Sequence, residues 1–107
     1  MKTLSEICEE VIDIEEGLMY GTIPFYYDNL MSAMKPGHPM EILDEILATI
    51  FWDVQSGKEP PRENIEETVK MFRDFKNTFK VKEMNKPIRE LNEYLKQMDS
   101  GVQKAEE

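Results

Sequence analysis

The 107-residue chain has one cysteine, one histidine and one tryptophan, and no apolar run near the ~20 residues that span a bilayer. The lone Cys8 excludes an internal disulfide framework and a cysteine-based zinc site. The lone His38 lies between Gly37 and Pro39, at a helix boundary, which is the wrong place for a phosphotransfer histidine. Without an E-x-x-H pair there is no ferritin-like di-iron pattern, and no glycine-rich phosphate loop appears. The start turns acidic by Glu6 and lacks the apolar middle of a signal peptide, so the cytoplasm is the expected compartment.

Charge is abundant but unevenly placed. Residues 1–34 hold seven acids and one base, residues 35–57 four acids and one base, and residues 58–107 eleven of each. The whole net charge of −9 therefore sits before residue 58. A negative field of this kind repels nucleic acid and anionic lipid and attracts basic protein surfaces.

Apolar residues recur at helical period in five segments, and no alternating strand pattern appears. The first helix is expected over 4–20, with Thr3 and Glu6 as a capping box and Gly21 as its left-handed stop; Leu4, Ile7, Cys8, Val11, Ile12, Leu18 and Met19 form its stripe. A short second helix over 23–34 takes Thr22 as cap and Pro24 in its first turn, with Tyr26, Tyr27, Leu30, Met31 and Met34 inward. The third, over 39–55, has the strongest stripe, from Met40 and Leu43 to Phe51 and Val54, and is expected at the centre. Pro60-Pro61 opens the fourth, over 62–80, lined by Ile65, Val69, Phe72, Phe75 and Phe79; residues 81–86 prolong it or form a loop. The fifth, over 87–99, turns Ile88, Leu91, Leu95 and Met98 inward. Gly101 is expected to end it and to leave a flexible acidic tail at 102–107. The fold class that follows is all-α: a single compact bundle of about five helices in one domain, residues 1–101.

Three residues fall on unexpected faces. Glu15 lies within the apolar stripe of the first helix, where a carboxylate must be paired, wet or shifted in pKa. Trp52 lies opposite the stripe of the third helix, on a line with Glu41, Glu45 and Ala48. Packed by another helix, it is core; left open, it is a binding anchor, and partial burial with the ring edge in a groove is expected. Phe25 points off the stripe of the second helix, either as a staple or as another exposed aromatic.

Acids form two groups. Glu6, Glu9, Glu10, Asp13 and Glu16 band the first helix; Glu41, Asp44 and Glu45 mark the third. The pieces Glu9-Glu10-x-x-Asp13 and Glu41-x-x-Asp44 resemble the EExxE…ExxD pattern of MazG-type nucleotide pyrophosphatases, with Asp13 in place of the third Glu and without the helix that normally precedes the pair. The resemblance implies an all-α Mg²⁺-dependent enzyme with Glu9, Glu10, Asp13, Glu41 and Asp44 as its ligand set. Lys70, Arg73, Lys76 and Lys80, adjoined by Lys82, Lys86 and Arg89, follow one side of the fourth helix and continue beyond it. They alternate with acids and have no interleaved aromatic, the pattern of a solvated face or of docking near the first helix.

The function these features favour is non-catalytic and needs no cofactor: an interaction or regulatory module of inhibitor, immunity or adaptor type. Its partner is a basic protein surface, such as one that normally binds nucleic acid, met by Glu9, Asp13, Glu16, Glu41, Glu45, Trp52 and Phe25. The alternatives are the pyrophosphatase-like enzyme and a structural subunit of a helical homo-oligomer.

Overall fold

The structure, a computed structural model, describes residues 2–26 and 38–105, with side chains to residue 98. Among these residues all regular structure is helical: α1 (Leu4–Tyr20), α2 (Pro39–Gln55), α3 (Arg62–Phe79), a 3₁₀ turn (Lys82–Met84) and α4 (Asn85–Ala105). None of the helices is long and apolar enough to cross a membrane.

The helices start and stop for local reasons. Thr3 Oγ1 accepts from the Glu6 N–H at 3.2 Å while Glu6 Oε1 accepts from the Thr3 N–H at 2.9 Å, closing a capping box. Gly21 ends α1 in the left-handed conformation, φ 82°. His38 caps α2: its Nδ1 accepts from the Met40 N–H at 3.0 Å, and Glu41 Oε1 accepts from the His38 N–H at 3.3 Å. Pro39 then supplies the fixed φ suited to a first turn. Lys80 ends α3 at φ 59°, a left-handed cap on a residue other than glycine.

Each helix buries a seam whose spacing alternates between three and four residues, the repeat of coiled-coil-like bundles. In α1 it is Leu4, Ile7, Val11, Ile14 and Leu18; in α3 it is Ile65, Thr68, Phe72, Phe75 and Phe79. Leu43, Ile46, Leu47 and Ile50 serve α2, and Ile88, Leu91 and Leu95 serve α4, extended by Val81 and Met84 from the preceding turn. The core is closed by Tyr26 N–H, which donates to Phe79 O at 2.9 Å and ties the chain after α1 to the end of α3.

Contacts run α1–α2, α2–α3, α3–α4 and α4–α1, and none joins the diagonals α1–α3 or α2–α4 among the described residues. Neighbours are antiparallel. Glu15 meets Asp44 across α1–α2, Arg62 donates to Leu95 O at 3.3 Å across α3–α4, and Lys86 approaches Glu10 at 3.9 Å across α4–α1. The fold is an up-down-up-down bundle.

Several expectations change. The α2 helix, expected at the centre, has two helical neighbours like every other member of the ring. Four helices are described in place of about five. The expected second helix does not start at Thr22 or Pro24: residues 21–26 are non-helical, and its remainder, with Tyr27, Leu30, Met31 and Met34, lies outside the described residues. There the backbone crosses close over α1. Ile23 N–H and Thr22 Oγ1 both donate to Gly17 O, at 3.1 and 3.4 Å, and a Cβ on Gly17 would stand 2.5 Å from Ile23. Gly101 does not stop α4, which continues to Ala105. A helical glycine costs only about 1 kcal/mol, and Val102-Gln103-Lys104-Ala105 contains no breaker. Met19 leaves the α1 stripe and is 47% exposed, whereas Ile14 joins it.

Phe72 is fully buried at the centre of the α3 seam. Phe72→Ala should lower unfolding stability by about 3–5 kcal/mol in urea titrations, against less than about 0.5 kcal/mol for the exposed Glu67→Ala.

Candidate functional site: the outer α1–α2 groove

A square ring leaves every helix an outer face, and on α1 and α2 those faces meet in a shallow groove. It encloses about 220 Å³ and is lined by Ile12 from α1 and by Asp44, Leu47, Ala48, Phe51 and Trp52 from α2. Trp52 is 69% exposed. Its ring meets Phe51 edge-on, with centroids 5.8 Å apart and an interplanar angle of 75°. The expected partial burial of Trp52 does not hold: among the described residues no helix packs on the second side of α2. The ring does line a groove, as expected, but from the open side. Ile12 and Phe51 are half-buried and complete an apolar floor.

Glu15 stands beside this groove and is buried, with 8% of its surface exposed. It faces the Asp44 carboxylate of α2, and its Oε2 is buried without a hydrogen-bond partner. Burial first, and then the neighbouring Asp44 carboxylate, push the Glu15 carboxyl up to about 7. Ionising Glu15 beside the Asp44 carboxylate is costly, so near neutral pH Glu15 keeps its proton on a large share of molecules. No ion pair with Lys or Arg reaches either residue among the described residues.

The other expected site residues separate. Glu9, Glu16 and Glu45 are exposed on the outer faces of α1 and α2. Glu41 is exposed as well, but its carboxylate is engaged in the α2 cap. Phe25 is half-buried, packs on the core and meets the His38 ring edge-on at 5.3 Å, so it is not a second exposed aromatic. Asp13 turns away from Asp44. With Glu10 it lines a groove of about 460 Å³ between α1 and the start of α4, beside Lys82, Glu83, Lys86 and Arg89. There Lys2 bonds Glu10 and stands 3.5 Å from Glu90, and of the late bases Lys86 reaches α1, 3.9 Å from Glu10. Glu10 and Asp13 thus face one groove and Asp44 another, and no group of three or more His, Cys, Asp or Glu positioned for a metal ion occurs among the described residues. Cys8 is buried, and desolvation pushes its thiol up to about 11, which keeps it unreactive.

Periodicity alone misses Ile12 and Phe51 as groove residues, because it assigns both to core stripes, and both do pack on the core while facing the groove. Their signal is their position flanking the three-four seam on the side shared by α1 and α2. No protein-family model, curated protein or solved structure matches the chain, and the likeness to MazG-type enzymes stays confined to the residues that carry it.

The Glu15 proton sets a pH dependence with a definite sign. The folded-state pKa, about 7, lies above the ordinary value of 4.5, so the folded protein holds the extra proton. This stabilisation is complete below about 4.5 and is lost as pH rises through about 7. Glu15→Gln keeps the shape without the charge. In thermal melts its advantage over wild type should be small at pH 5 and grow by pH 8; an identical pH profile for both proteins would contradict the burial argument.

Proposed function

We propose that this protein is a protein–protein interaction module of regulatory type that docks a basic protein segment on the outer face of α1 and α2, without catalysis of its own. The observation that carries the proposal is the exposed Trp52 on an apolar groove flanked by acids. An indole left in water beside Ile12 and Phe51 is a poor use of the largest side chain unless something covers it, and tryptophan is the residue most enriched at interface hot spots. Glu9, Glu16 and Glu45 on the same outer faces give a partner of opposite charge both attraction and register.

The charge distribution supports the same partner chemistry. The net −9 arises entirely from residues before 58, the part of the chain that includes α1 and α2, while α3 and α4 alternate in sign. Basic surfaces, including those that bind nucleic acid in other settings, are steered to such a field. The enzymatic alternative asks Asp13 and Asp44 to share a Mg²⁺ ion, and their placement in different grooves gives it no support. Self-association through the same groove would bring the acidic rims of two copies together, which disfavours the homo-oligomer.

Affinity capture with wild-type and Trp52→Ala baits tests the proposal. Because Trp52 is exposed, Trp52→Ala should change stability by less than about 0.5 kcal/mol. It should weaken capture of a basic partner by about 2 kcal/mol or more, a loss near thirtyfold. The wild-type association rate should fall steeply between low and physiological salt, where screening shortens to ~8 Å. Replacing Glu9, Glu16 and Glu45 together by Gln should slow association and flatten that dependence. Equal capture by both baits would remove Trp52 from the interface.

A further inference from the structure

The groove has a charged end whose chemistry narrows the partner further. Asp44 forms its polar wall, and Glu15 backs Asp44 from α1. The charged groups acting on Glu15 are Asp44 from α2 and Glu16 from its own helix, both acids. The bases of the described ion pairs serve other acids: Lys2 and Lys86 reach Glu10, Lys2 also reaches Glu90, and Arg62 reaches Glu66. A nine-tenths-buried carboxyl with one unpartnered oxygen therefore adjoins a second carboxyl at the edge of an apolar groove, and no described base balances the pair.

We infer that the Glu15–Asp44 carboxyl pair, together with Trp52, receives a single arginine side chain from an amphipathic segment of the partner. This inference rests on the interaction reading above and specifies its contact. A guanidinium fits better than an ammonium. It is planar, presents a fork of donors that matches carboxylate oxygens and carries a more weakly held hydration shell. Asp44 and Trp52 are two turns of α2 apart, so the guanidinium meets Asp44 while its aliphatic stem lies over Ala48 toward the indole. A groove of about 220 Å³ holds that head with one or two flanking apolar side chains, which rest on Ile12 and Phe51.

The arrangement couples binding to a proton. The entering positive charge favours the ionised pair, so the proton held by Glu15 passes to solvent as the guanidinium binds. With the Glu15 carboxyl at about 7, wild type at pH 7 should release roughly half a proton per arginine bound.

The probe is a capped amphipathic helical peptide with a leucine face and one central arginine, compared with the same peptide carrying neutral, isosteric citrulline. Trp52 is the chain's only tryptophan, so its emission reports occupancy of the groove directly. The arginine peptide should shift that emission and bind at least about tenfold more tightly than the citrulline peptide. Calorimetry at pH 7 in two buffers of different ionisation enthalpy should show proton release for wild type and none for Glu15→Gln. Asp44→Asn should lose the preference for arginine. Equal binding of the two peptides, with Trp52 still responding, would overturn the arginine inference and leave the docking reading in place. No response of Trp52 to either peptide would overturn both. A dimer of the free chain that protects Trp52 from acrylamide, seen by sedimentation, would assign the groove to a second copy and likewise overturn the inference.

Discussion

The alternating three-four seam buried by all four helices is the constraint from which the rest of the molecule follows. Such a seam covers a narrow stripe of each helix, and antiparallel stripes close into a square ring in which, among the described residues, each helix backbone lies close only to its ring neighbours. The ring is filled by Phe72, Phe79, Leu43, Ile50, Leu91 and their neighbours, with Met84 and Val81 sealing the entrance to α4. Once the core is made this way, no helix is central and every helix has an outer face. The groove between α1 and α2 is a direct consequence, because Ile12 and Phe51 flank the seam instead of lying within it.

Electrostatics then divides the surface. On the α4 side of α1, Glu10 and Glu90 are matched by Lys2 and Lys86, so that seam is sewn by charge-assisted contacts. On the α2 side, no base among the described residues reaches Glu15 or Asp44. Pairing two acids across a helix interface costs stability unless a proton stays behind, and perturbed acids of this kind concentrate where proteins bind or react. The two sides of one helix thus carry opposite solutions to burying a carboxylate. The unbalanced side is also the one with the exposed tryptophan.

Much of the fold was legible in the sequence. The bounds of α1 followed from Thr3, Glu6 and Gly21, those of α2 from Pro39 and Gly57, and the start of α3 from Pro60-Pro61, because caps and breakers act within a few residues. The inward residues of α3 were readable because the phenylalanines recur at strict period. Glu15 was legible as an anomaly, but the wheel left open whether it is paired, wet or shifted in pKa; packing against α2 decided that. The continuation of α4 past Gly101 was not legible, since a glycine reads as a stop although alone it only weakens a helix. The start assigned at Thr22 failed because the chain there is spent crossing Gly17, where Ile23 packs and its N–H finds a carbonyl.

Local chemistry and periodicity therefore determined the helices, their buried stripes and the charge contrast between the two halves of the chain, all of which depend on neighbours close in sequence. Tertiary structure decided which stripe edges meet, and that cannot be computed from one helix at a time. It turned Asp13 toward α4 and Asp44 toward Glu15, although both belong to acidic patches of the same appearance. It packed Phe25, half-buried, beside His38 and left Trp52 in the open, because the covering of a helix's second face depends on how many neighbours the bundle gives it. That number is set by closure of the ring, a property of all four helices together.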